Sequence, residues 1–140
     1  MTTRLITIAL AGALACGVTA ANADIRHYAA QLKGANEAQP VAGKGHGVLT
    51  ATLDTDRGEL DYSVEYSDLS GPAVAAGFQE SASHDPIPVA PVSGASGTLH
   101  GVVKVTPAQI RDFNSTLWFF NISTSANPNG EVRGKVYRDD

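Results

Sequence analysis

The sequence predicts an all-β fold, an antiparallel Greek-key β-sandwich carrying one short helix near residues 106–113. Three observations lead there. Leu60, Tyr62, Val64 and Tyr66 alternate with Glu59, Asp61, Ser63, Glu65 and Ser67, so one face is apolar and the other wet. A second alternating run, Leu49, Ala51 and Leu53 between Val48, Thr50 and Thr52, precedes it across the turn Asp54-Thr55-Asp56-Arg57-Gly58, which makes a β-hairpin. The rest of the chain repeats this grammar, with about seven short strands separated by Gly, Pro and Asn turns.

Each further element has its own warrant. Tyr28, Ala30 and Leu32 mark a first strand. Val74, Ala76 and Phe78 mark another after the Gly71-Pro72 turn. Residues 81–97 hold Pro86, Pro88 and Pro91, too many for a central strand, and read as a long loop or an edge crossing. Leu99, Gly101, Val103 and Val105 give the next strand. Thr106-Pro107-Ala108-Gln109 then supplies a cap residue, Pro at the first helical position and Gln at the capping-box position. Ile110 and Phe113 share one face of the roughly two turns that follow, and Asn114 and Ser115 end them. Residues 117–122, Leu-Trp-Phe-Phe-Asn-Ile, are apolar on both faces and read as a central strand. Asn127-Pro128-Asn129-Gly130 is a turn before a last strand through Val132, Gly134 and Val136.

The chain's beginning predicts export. Arg4 is the only charge in the first 23 residues, residues 5–15 are almost wholly apolar, and Ala21-Asn22-Ala23 is a small-x-small cleavage site before Asp24. The apolar run is shorter than the roughly 20 residues a spanning helix needs. Cleavage after Ala23 leaves a single domain over residues 24–140. Its formal net charge becomes −5, that is −4 for the whole chain less Arg4. A mildly acidic surface argues against nucleic acid and anionic membranes as partners. Cys16 is the only cysteine and leaves with the signal, so the mature domain holds no disulfide and no thiolate ligand. The alternative fate of Cys16 is lipidation, disfavoured because Ala13 stands where a large aliphatic residue is usual. The Ala-rich signal and the lack of cysteine point to a bacterial periplasm or the medium outside the cell.

At the level of motifs the chain resembles a known family. Gln31-Leu32-Lys33-Gly34-Ala35-Asn36-Glu37-Ala38-Gln39-Pro40-Val41 is similar to the opening "L-x-G-x-x-E-x-P-P-V" of CHRD domains. Leu69-Ser70-Gly71-Pro72 resembles that family's "GLSGP" turn. The closing segment, with Asn127, Pro128, Gly130, Glu131, Arg133 and Gly134, resembles "N-P-x-G-E-I-R-G-Q-V". The resemblance implies a compact antiparallel sandwich, comparable in architecture to immunoglobulin-like and Cu,Zn-superoxide-dismutase-like domains. It also marks departures. The family's "H-I-H" is Gly77-Phe78-Gln79 here, and its "N-x-H-T" is Asn121-Ile122-Ser123-Thr124. A metal role resting on those histidines does not transfer.

The remaining candidate chemistry is sparse. His27, His46, His84 and His100 show no ligand spacing, and Asp85 follows His84 as a candidate orienting carboxylate for a relocated copper or zinc site. Scattered histidines are otherwise solvent-facing or edge residues. Ser83, His84 and Asp85 are adjacent and diverge on an extended segment, so they make no triad. Asp54 and Asp56 lack the later Glu of a calcium loop. Glu131, Arg133 and Lys135 alternate as a row that suits recognition of an anionic or polar ligand, or, as is commoner, cross-strand ion pairs on a wet face. Trp118, Phe119 and Phe120 read as core. The expectation is a non-enzymatic exported module binding a protein or small molecule. The alternatives are a copper- or zinc-binding protein and, by analogy of architecture alone, a dismutase-like enzyme, which needs a histidine cluster absent from the pattern.

Overall fold

The computed structural model describes residues 24–80, 86–89, 93–115 and 117–140. The signal and cleavage residues through Ala23, Cys16, and the pair His84 and Asp85 lie outside them.

The described chain is all-β with one helix. Its strands are β1 (Ile25–Lys33), β2 (His46–Asp54), β3 (Glu59–Ser67), β4 (Ala73–Glu80), β5 (Ile87–Pro88), β6 (Gly97–Lys104), β7 (Trp118–Thr124), β8 (Val132–Lys135) and β9 (Tyr137–Arg138). Helix α1 covers Pro107–Phe113. The expected seven strands become nine because the Pro-rich stretch adds the two-residue edge β5 and the carboxyl end adds β9, which pairs with β1.

All nine strands belong to one hydrogen-bonded sheet, in the order β5-β4-β7-β8-β1-β2-β3-β6, and every pairing is antiparallel. The sheet curls on itself. Tyr62 of β3 meets Phe78 of β4, with ring centroids 5.9 Å apart, although five steps of the strand order separate them. β1 and β8 share a single ladder pair, Lys33 opposite Arg133, although they pack closely beyond it, and the sheet turns a corner at that seam.

The period-2 reading holds where strands are regular. In β3, Leu60, Tyr62, Val64 and Tyr66 are buried, as are Leu49, Ala51 and Leu53 in β2. The connecting turn is closed by Asp54, whose Oδ1 accepts from the backbone N–H of Asp56 and Arg57, both at 3.0 Å. Gly58 follows at φ 62°. In β4 the expected phase is corrected. Val74 is exposed while Ala73 and Phe78 are buried, because a bulge between Ala73 and Ala75 flips the inward face partway along the strand.

The interior is built around aromatic side chains. Phe113 of α1 stacks on Trp118 at 5.0 Å, and Phe78 packs edge-on against Phe113 and Phe120. The helix is placed by its capping box. Thr106 Oγ1 accepts from the Gln109 N–H, and the Thr106 N–H donates to Gln109 Oε1 at 2.8 Å. The other face of β7 is buried as well, so Phe119 and Asn121 are enclosed along with Phe120 and Ile122 on the core face, as a central strand requires.

Candidate functional site

The family-like motif residues, far apart in sequence, converge at the seam between β1 and β8. Two arrangements result, one structural and one open to solvent.

The structural one centres on Glu131, which is 4% exposed. Its Oε2 accepts from the Ser70 N–H at 2.7 Å. Its Oε1 accepts from the Ser70 hydroxyl, from Thr124 Oγ1 at 3.0 Å and from Asn127 Nδ2 at 2.9 Å. Burial favours the neutral acid, but these donors outweigh it and hold the carboxyl below its ordinary range. The reading of Glu131, Arg133 and Lys135 as a row of ion pairs on a wet face is therefore corrected. Glu131 precedes β8, outside its alternation, and turns under the 69–72 turn. It binds neutral donors and ties that turn to the β7–β8 connection.

Arg133 is also occupied differently. Its guanidinium carbon lies 3.4 Å from the centre of the Phe119 ring, a cation–π stack that covers the outward aromatic of β7.

Beside it opens a cleft of about 460 Å³, whose polar lining includes Glu37, Gln79, Asn121, Asn129 and Arg133. Cross-strand pairing sets the row, since Gly77 of β4 lies opposite Asn121 of β7, and Asn121 opposite Arg133 of β8. Glu37 reaches it from the other half of the sheet. It follows the 3₁₀ turn Gly34–Asn36 at the end of β1, and its N–H donates to Gly34 O at 3.2 Å.

Gly130 forms the floor. Its φ is 129°, and a Cβ there would lie 2.4 Å from both polar atoms of the Asn121 amide and 2.7 Å from Glu37 Oε1. The carboxyl and the amide thus converge over one glycine. Asn121 Nδ2 donates to Asn129 O at 3.3 Å, which fixes the amide orientation. Asn121 Oδ1 and Glu37 Oε1 are both buried and, among the described residues, neither has a hydrogen-bond donor. Glu37 is 8% exposed, and burial pushes its pKa up to about 7, with Arg133 pulling it back down.

Of the three positions where the motif resemblance implies histidines, Gln79 lines this cleft, Gly77 and Ser123 line the groove beside it, and Gly77 is closed. A Cβ at Gly77 would sit 2.7 Å from Ile87 O, so β5 lies against the strand where a larger side chain would project.

The three described histidines are elsewhere. His46 Nδ1 lies 3.0 Å from Lys44 O on the exposed start of β2. His27 and His100 line one groove on the outer face of β1, β2, β3 and β6, together with Asp61 and Asp139. There His100 Nε2 is 3.3 Å from Asp61 Oδ1 and His27 Nδ1 is 3.4 Å from Thr52 Oγ1. Among the described residues no three His, Cys, Asp or Glu side chains converge to hold a metal ion. Asp24 pairs with Arg26 at 2.6 Å at the start of the described chain. No helix among the described residues is long and apolar enough to cross a membrane.

Sequence reasoning named Gly130, Arg133 and the Asn127-Pro128 turn but assigned no site to Glu37, Asn121 or Gln79. The available signal was Glu37 itself, a motif residue with no place in a strand pattern. Gly134 serves the same seam, since a Cβ there would fall 2.1 Å from Gln31 O of β1. No curated protein and no solved structure matches the chain. The CHRD domain profile matches residues 28–136, from the first strand to the end of β8 and beyond, and the chain belongs to the CHRD-domain family.

Proposed function

We propose that this protein is a non-enzymatic, exported binding module that takes up a small polar molecule in the cleft over Gly130. The observation that carries the reading is the pair of buried oxygens, Glu37 Oε1 and Asn121 Oδ1, which converge over Gly130 on residues that line the cleft and have no donor among the described residues. Leaving a buried acceptor unmet costs about 1–3 kcal/mol, and a ligand N–H or O–H removes that cost. Among the described residues the cleft lining combines one carboxyl, several amides and one guanidinium and includes no Ser, Thr, Cys, His or Lys, a set suited to recognition. Export rests on the tripartite segment before Asp24, and recovery of a periplasmic or secreted form beginning at Asp24 is the check on it. We read the curled sheet as two layers of a Greek-key sandwich meeting at β1 and β8, in keeping with the contact of Tyr62 and Phe78 across the interior.

The test is a nuclear magnetic resonance screen of the ¹⁵N-labelled protein against a library of small polar metabolites. The expected result is amide shifts centred on residues 37–39 and 127–130. Shifts centred elsewhere, or none across the library, refute the cleft as the binding site.

A second reading, copper or zinc binding, has one observation in its favour: His27 and His100 share a groove with Asp61 and Asp139. Calorimetric titration with Cu(II) and Zn(II), repeated on His100→Ala, decides it. Binding tighter than micromolar that is lost in the variant supports a metal role, and its absence removes that role from this groove.

A further inference from the structure

The geometry points to a zwitterion of the α-amino-acid type as the ligand of the Gly130 cleft, its ammonium on Glu37 and Asn121 and its carboxylate toward Arg133. This rests on the cleft being the binding site and adds the chemical class.

The argument is one of charge and donor count. Among the described residues, Glu37 and Arg133 are the only ionisable side chains lining the cleft, one of each sign. They make no ion pair with each other, because Arg133 is held on the face of Phe119. Two acceptor oxygens, Glu37 Oε1 and Asn121 Oδ1, await donors over Gly130. A neutral polyol offers hydroxyl donors but leaves the Glu37 charge uncompensated. A simple amine compensates Glu37 but meets the positive field of Arg133. An anion meets the opposite problem. A zwitterion matches both charges, and its ammonium carries three donors for two buried acceptors. Gly130, whose missing Cβ leaves room for the Asn121 amide and the Glu37 carboxyl to converge, sets where those two acceptors meet the cleft.

Among the described residues Glu37 faces Arg133 from β8 and no other titratable side chain in the cleft. A proton and the ligand ammonium therefore compete for the same carboxylate. With the Glu37 pKa at about 7, its ionised fraction changes about tenfold between pH 6 and pH 8.

The experiment is calorimetric titration of the purified protein with the free L-α-amino acids at pH 8. The best binder is then compared with its N-acetyl and carboxamide derivatives, which each delete one charge. The expected result is at least a tenfold loss for each derivative, and weakening of the parent ligand by about tenfold from pH 8 to pH 6. Glu37→Gln, checked for fold by circular dichroism, should weaken binding at least tenfold and flatten the pH profile. The wild-type pH profile and the two derivatives test the idea without relying on the variant. Binding that ignores N-acetylation, or is flat in pH, overturns the proposal. If no amino acid binds but a polyol or monoamine shifts the amides of the cleft, the binding site stands and the ligand class falls. If nothing shifts those amides, both fall.

Discussion

Replacing Glu37 with Gln should make the protein more stable at neutral and alkaline pH and leave it unchanged in acid. Burial raises the Glu37 pKa from an ordinary 4.5 to about 7 in the folded state. The native protein therefore holds this proton more tightly than the unfolded chain does. Between those two values the folded state binds more protons, so stability falls as pH rises through the window. At about 1.4 kcal/mol per pH unit, the full loss is about 3 kcal/mol above pH 7. Gln keeps the shape of the protonated acid and does not ionise. The difference between variant and parent should thus rise from near zero at pH 4.5 to about 3 kcal/mol at pH 8. For a domain of this size that is a gain of about 10 °C in Tm. Urea denaturation of both proteins at pH 4.5, 6, 7 and 8 measures it, and every other titrating group cancels in the difference. A difference that is constant with pH, or a variant less stable than its parent at pH 8, refutes the account of Glu37 as an unsatisfied buried carboxylate.

Glu131 should respond in the opposite sense. Its pKa is lowered, so its contribution is present above pH 4.5 and is lost as pH falls through the folded value. Glu131→Gln, left with a single acceptor for four donors, should cost about 3 kcal/mol at pH 7 and abolish the corresponding share of acid unfolding, read by denaturation across pH 3–7. Gly134→Ala forces a Cβ to 2.1 Å from the Gln31 carbonyl oxygen and should cost about 3 kcal/mol, seen as a fall in Tm. Thr106→Ala removes half the capping box and should cost about 1 kcal/mol, with the loss confined to stability and ligand binding unaffected.

Most of the fold was legible because strands such as β2 and β3 alternate without interruption, and alternation is a local property. It failed at β4, where the bulge after Ala73 reverses the inward face within one run, and nothing in Ala73-Val74-Ala75-Ala76 announces the extra residue. It failed again at Glu131, which continues the spacing of Arg133 and Lys135 yet precedes β8. Its burial is decided by Ser70, 61 residues away. The cleft is harder still to read. Glu37, Asn121 and Gly130 meet only because the sheet turns its corner at Lys33 and Arg133, and an isolated Glu in an irregular segment has no period to betray it. The motif resemblance named Glu37, Gly130 and Arg133 together, while strand patterning placed the buried Glu131 on a wet face.

The sparse ladder along β1, one pair to β8 and two to β9, has a dynamic consequence. Cooperative opening of a protein follows lines of few hydrogen bonds, and this seam is such a line between the Glu37 side and the Asn121 side of the sheet. Native-state hydrogen exchange should find sub-global opening there before the β2–β3 ladder exchanges. A molecule lodged over Gly130 touches both sides at once, so it acts as a staple across the seam. Occupancy would then be reported by slowed exchange along β1 and β8, far beyond the atoms the ligand itself contacts.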